Sequence, residues 1–143
     1  MSPGLHPDEL RELHPAELIL ECAGVRHAPP FGGDALERLR SANRRLRSAA
    51  GDPAAAAGAD AEFRRLLTDR CGNPRLLAVI EPLRRQLAPY ERVRLADAGR
   101  VARTASQHDE IIAALERRDH RAAERRLRAH RTTALRELVA GSG

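Results

Sequence analysis

The chain has no lysine and no tryptophan, and only one tyrosine and two phenylalanines among its 143 residues. So few aromatics exclude a core built on large rings. Leucine, alanine, valine and isoleucine must fill the interior instead, which suits packed helices better than a sandwich of strands. The length is enough for one domain with a buried core and too short for two ordinary ones. Cysteine is scarce as well. Cys22 and Cys71 do not make a disulfide scaffold and share no Cys-x-x-Cys or zinc-ribbon spacing, so they read as small apolar residues in a reducing compartment.

Other absences narrow the function. No apolar run approaches a membrane span, and Asp8, Glu9, Glu12, Glu17 and Glu21 near the start do not fit a signal peptide, so the expected location is the cytoplasm. There is no Gly-rich phosphate loop, no Gly-x-Ser-x-Gly and no His-Glu-x-x-His, which weighs against an enzyme. All 25 basic residues are arginine, a skew more in keeping with GC-rich coding than with a binding site. The net charge of +5 permits nucleic-acid contact, yet Arg and Glu alternate along the helical phrases, the pattern of a solvated mixed face.

What is present is helical punctuation. The stretch "PAELILECAGVRHA" places Leu18, Cys22 and Val25 on one face, with Pro15 in a first-turn position, and ends before "PPFGG". Asp34 is expected to cap the second helix, Asp52 and Pro53 to open the third, and Asn73 and Pro74 the fourth. Gly72 is a natural stop, Pro82 and Pro89 are expected kinks or breaks, and Asp119 caps the last helix after one that begins near Thr104. The expected fold is an all-α antiparallel bundle of about six helices with an internal ligand cavity. Residues 1–14 read as an N-terminal extension and 15–140 as the domain.

Three polar residues fall on inward faces. Asp60 shares a stripe with Ala56, Phe63 and Leu67; His108 leads Ile111, Ile112 and Leu115; His130 sits among Ala123, Leu127, Ala134 and Leu138. An ordinary core histidine bonded to a backbone carbonyl accounts for either imidazole alone. A carboxylate and two imidazoles on three helices is also how bundles build an internal site, with ligands suited to Zn, Ni, Fe or Mn.

The order of Asp60, Phe63, "CGNPRLL", His108 before "DEIIAALERRD", and His130 resembles the C-terminal effector-binding (FCD) domain of FadR-type regulators in the GntR family. That resemblance spans roughly residues 15–140. It implies a dimerising helical bundle, in many members holding a divalent metal on an Asp, a His four residues later and two further His, with a small carboxylate effector completing the coordination. Asp60, His108 and His130 match three of these ligands. Arg64 stands where the metal-binding members have the second His, and a guanidinium has no lone pair to offer a cation. Glu17 stands where the first helix would usually carry an effector-holding Arg.

Three outcomes follow from Arg64. Asp60, His108 and His130 keep a metal while Arg64 swings aside; or Arg64 replaces the metal's charge and binds a carboxylate itself; or the four groups merely satisfy one another. Loss or weakening of the metal is the favoured expectation, because two cations repel in a low-dielectric cavity. No cofactor is therefore favoured, and the expected ligand-binding set is Asp60, Arg64, His108 and His130. Only "MSPGLHPDELREL" precedes the resemblance, with no room for a winged helix-turn-helix domain, so sequence-specific DNA binding by these residues is not expected. The leading function is a ligand-sensing homodimeric module for a small carboxylate. The alternative is a basic helical protein that binds another chain or nucleic acid non-specifically, and a metal-assisted hydrolase ranks last.

Overall fold

Proline and short polar side chains set most of the helix starts. Pro7, Pro53 and Pro74 each open a helix, where the missing N–H forfeits no bond. Asp52 accepts from the Ala55 amide, Asn73 from Leu76, Asp97 from Arg100 and Asp119 from Ala122. The computed structural model describes residues 4–142, which form six α-helices and, among the described residues, no strand. They are α1 (Pro7–His27), α2 (Gly33–Ser48), α3 (Pro53–Thr68), α4 (Pro74–Arg94), α5 (Ala98–Glu116) and α6 (His120–Ser142), with a 3₁₀ turn at Asp69–Cys71.

The all-α reading holds, and four boundaries differ from the sequence reading. The first helix starts at Pro7, capped by His6, so residues 7–14 are two turns of α1 with Leu10 packed beside Leu87, Tyr90 and Leu138. Pro15 consequently lies inside α1. Asp34 is in the first turn of α2, behind a Gly32 N-cap that makes no side-chain bond. The fifth helix begins at Ala98, behind Asp97. Finally, α4 runs unbroken through Pro82 and Pro89. Each proline removes one backbone donor without ending the helix.

Short joints put α2 beside α3, α3 beside α4 and α5 beside α6. In the bundle α1 lies against α3, α4 and α6, while α2 packs on α3 and α5, and α5 on α6. The largest apolar cluster joins Cys22, Val25, Leu39, Phe63, Leu67, Ile111, Leu115 and Leu127. Smaller clusters form around Leu46, Leu95 and Val101, and around Leu10, Leu87 and Tyr90. One stripe of α1 runs Leu10, His14, Glu17, Glu21, all buried, so the seam that starts apolar becomes ionic in the middle of the bundle.

Gly24 marks the closest approach of α1 to the end of α3. A Cβ there would lie 2.9 Å from Thr68 Cβ and Cγ2 and 3.2 Å from its Cα, so backbone as well as side chain would have to move. Gly24→Ala is expected to destabilise by about 1–3 kcal/mol through overpacking. At Gly58 on α3 a Cβ would meet nothing within 4 Å, and Gly58→Ala is expected to stabilise by about 0.5–1 kcal/mol through helix propensity. Urea denaturation of the two variants checks the opposite signs; equal effects would contradict the close approach.

Candidate metal centre and its ionic surround

The structure brings Asp60, His108 and His130 together, all buried, with one ligand atom of each within 4.8 Å of the others. His108 Nε2 lies 3.2 Å from Asp60 Oδ1. A proton on His108 Nε2 would make this contact an ion pair; in the geometry present, Asp60 Oδ1, His108 Nε2 and His130 Nε2 all lack hydrogen-bond partners. Buried polar atoms are ordinarily paired, and these three also converge on one point, which makes them a candidate set for one shared partner.

A neighbouring amide holds His108 in the ligating tautomer. Asn43 Nδ2 donates to the Ala105 carbonyl and to Asp109 Oδ1, both at 2.9 Å, which turns Asn43 Oδ1 toward His108 Nδ1 at 3.0 Å. His108 therefore donates from Nδ1 and keeps its lone pair on Nε2. Gln107 Oε1 lies against His130 Nδ1 in the corresponding place. Phe63 stacks on His108 with ring centroids 3.7 Å apart, and the two imidazoles meet edge to face at 5.4 Å. Burial lowers the pKa of His108 against the pull of Asp60, and lowers that of His130 with help from His108 and Arg131. Burial thus favours the neutral rings, the form that binds metals.

Arg64 turns away from this triad. Its Nε donates to Asp60 Oδ2 at 3.2 Å, leaving Oδ1 unengaged, and Nη1 reaches Glu17 Oε1 at 3.2 Å and Glu21 Oε2 at 3.4 Å. Nη2 lies 3.3 Å from Glu91 Oε2. Every guanidinium nitrogen already has a carboxylate beside it. Glu17 and Arg64 thus form one buried ion pair, in which Glu17 supplies a charge that Arg64 needs.

Other charges that the sequence placed on solvated faces complete the network. Arg131, fully buried, donates to Glu91 Oε2 at 2.6 Å and Glu17 Oε1 at 3.2 Å, and Arg94 donates to Glu91 Oε1 at 2.9 Å. Burial alone would raise the carboxyl pKa values of Asp60 and Glu91. Arg64, His108 and Arg94 outweigh it at Asp60, and Arg131, Arg94 and Arg64 at Glu91, so both stay well below the usual carboxylate range. Glu21 goes the other way, raised to about 7 by burial and by Glu17. His14, buried beside Arg131, is pushed down to about 3, mainly by desolvation.

The fold has counterparts among known proteins. The FCD domain matches residues 12–133. A transcriptional regulator of the GntR family from Pseudomonas syringae pv. tomato str. DC3000 superposes with a TM-score of 0.80 at 15% identity, over 95% of this chain and 57% of that one. McbR/YncC of E. coli superposes with a TM-score of 0.73 at 20% identity, over 92% of this chain and 66% of that one. The chain therefore spans less than two thirds of the length of either regulator. A comparison with curated protein sequences finds no match. Among the described residues no helix is long and apolar enough to cross a membrane.

Proposed function

Because the chain belongs to the FCD domain family, the helical effector-binding domain of FadR-type regulators in the GntR family, we propose that it senses a small carboxylate through a divalent metal held by Asp60, His108 and His130. One observation carries the reading: Asp60, His108 and His130 bring one buried ligand atom each within 4.8 Å of the others, and Asn43 supports the ligating tautomer of His108 from behind. The placement of Arg64 supports the metal-retaining outcome, because its charge is matched by Glu17, Glu21 and Glu91 and directed away from Asp60 Oδ1. The repulsion that argued against a second cation is reduced accordingly.

Three protein ligands leave a coordination position open, as metal sites that bind an exogenous ligand do, and a bound metal would supply Lewis acidity toward a carboxylate oxygen there. Arg64 is then a positioning residue for Asp60, in contrast to the expectation that its fork grips the effector. Exposed Ile19 on α1 and Val79 and Val93 on α4 support a homodimer through these adjacent helices. Acid binding would act on a DNA-reading partner by favouring one dimer arrangement over another.

A thermal-shift screen tests the sensing step. Zn or Ni is expected to raise the melting temperature, and a small monocarboxylate such as acetate or lactate to raise it further only when metal is present. An equal carboxylate response in metal-free protein would sink the metal-mediated reading.

A further inference from the structure

A cleft of about 200 Å³ opens between α3 and α4, on the outer side of Arg64 and Glu91. Ala57, Gly58, Ala61 and Ala88 wall it with small side chains, while Arg65, Arg84, Arg85 and Arg92 also line it. Its acidic member, Glu91, is already engaged by Arg131 and Arg94. Arg65 has Glu81 at 3.2 Å. Arg85 and Arg92 have no carboxylate or hydrogen-bond partner among the described residues.

Exposed arginines are ordinarily just solvated, but Arg84 is not exposed. Only 8% of it reaches solvent, and its nearest carboxylates, Glu21 Oε2 and Glu81 Oε2, are both 3.8 Å away, beyond hydrogen-bond length. Thr68 Oγ1 at 2.9 Å is its one close side-chain acceptor, and Arg84 Nε is buried without any partner. The other three buried guanidiniums, of Arg64, Arg94 and Arg131, each have a carboxylate within 3.2 Å. Burial, set against Glu21, lowers the Arg84 pKa, as expected for a cation with too little compensation.

We infer that this cleft binds a compact oxyanion of two or three negative charges, gripped by Arg84 from below and by Arg85 and Arg92 at the rim. The charge follows from Arg85 and Arg92, which have no carboxylate partner, and from Arg84, whose two carboxylates stay 3.8 Å away; their planar forks suit carboxylate and phosphate oxygens alike. Size follows from the volume, which is below the about 300–1,000 Å³ of sites for drug-sized ligands. Pyrophosphate and citrate represent the two chemical sources. The cleft is separate from the Asp60, His108 and His130 centre and does not depend on a metal there.

Isothermal titration calorimetry of the full chain at low chloride, with pyrophosphate and with citrate, tests the inference. One site per chain is expected for at least one of them, and the tighter binder identifies the phosphate or the carboxylate source. Affinity should fall at least tenfold in the exposed pair Arg85→Gln/Arg92→Gln, which leaves the buried network intact, and also in Arg84→Gln. It should be unchanged in Arg125→Gln, a surface charge on α6, and in His108→Ala/His130→Ala. Absence of binding by both anions overturns the proposal. So does an equal loss in Arg125→Gln, which would mean diffuse attraction to a basic surface, or loss of binding in the double histidine variant.

Discussion

Replacing Arg64 with methionine is expected to lower the stability of the fold by about 3–5 kcal/mol, the cost of leaving buried charges without their partner. Four carboxylates surround that guanidinium: Asp60, Glu17, Glu21 and Glu91. Arg131 and Arg94 remain in the variant but already serve Glu91 and Glu17, and neither comes closer to Asp60 than 3.8 Å. For a domain of this size the loss corresponds to a fall in Tm on the order of 10–20 °C.

Arg64→His, which restores the residue the family's metal-binding members carry, is expected to destabilise as well, because it leaves Glu17 short of a cation. The reciprocal change Glu17→Arg/Arg64→His is expected to recover part of the loss, and the two sites should be non-additive by about 0.5–3 kcal/mol in a double-mutant cycle. Urea denaturation of the four proteins measures it. Additive effects, or a cost for Arg64→Met below about 1 kcal/mol, typical of a solvent-exposed pair, would mean that the ion pair is not what holds positions 17 and 64 together.

Much of the site was legible because its residues break a periodic pattern. Asp60, His108 and His130 each fall on a helical step otherwise filled by Ala, Leu, Ile or Phe, and a polar side chain on such a step stands out. The surround was not legible for the converse reason. Glu17 and Glu21 sit one position from Leu18 and Cys22, at the edge of the apolar face, where a carboxylate is normally solvated. What buries Glu17 is Arg131, 114 residues away, and no local spacing announces that pairing. Arg131 itself follows the conspicuous His130 and was read as part of the alternating charged face.

The fold shows the same division. Helix starts marked by Asp52 with Pro53 and by Asn73 with Pro74 were readable from two adjacent residues. The start of α5 behind Asp97 was not, since "ADAGRVAR" carries a glycine and no apolar repeat before Val101. The first turns of α1 carry a local start signal too, His6 with Pro7 and Glu9, which the similar signal at Pro15 overshadows. Tertiary packing of Leu10 against Leu87 and Leu138 is what extends that helix back to Pro7.

The second large effect expected is metal-linked stability. At metal concentrations about a hundred times the dissociation constant, binding to the native state alone should add roughly 2.7 kcal/mol to the unfolding free energy. His108→Ala and His130→Ala each remove one of two nitrogen ligands and should abolish that increment, whereas Arg85→Gln/Arg92→Gln should leave it untouched. Asn43→Ala removes only the group that holds the His108 tautomer, and should weaken metal affinity by about 10–100-fold. A response of Asn43→Ala identical to that of the native sequence would show that the ring needs no such support.

Elemental analysis decides whether Arg64 left the centre competent. Protein stripped with a chelator, reloaded with zinc or nickel and then dialysed should retain one metal ion per chain, and the His108→Ala/His130→Ala variant should retain essentially none. If the native chain holds no more metal than that variant, Asp60, His108 and His130 are not a metal site and Arg64 has closed it.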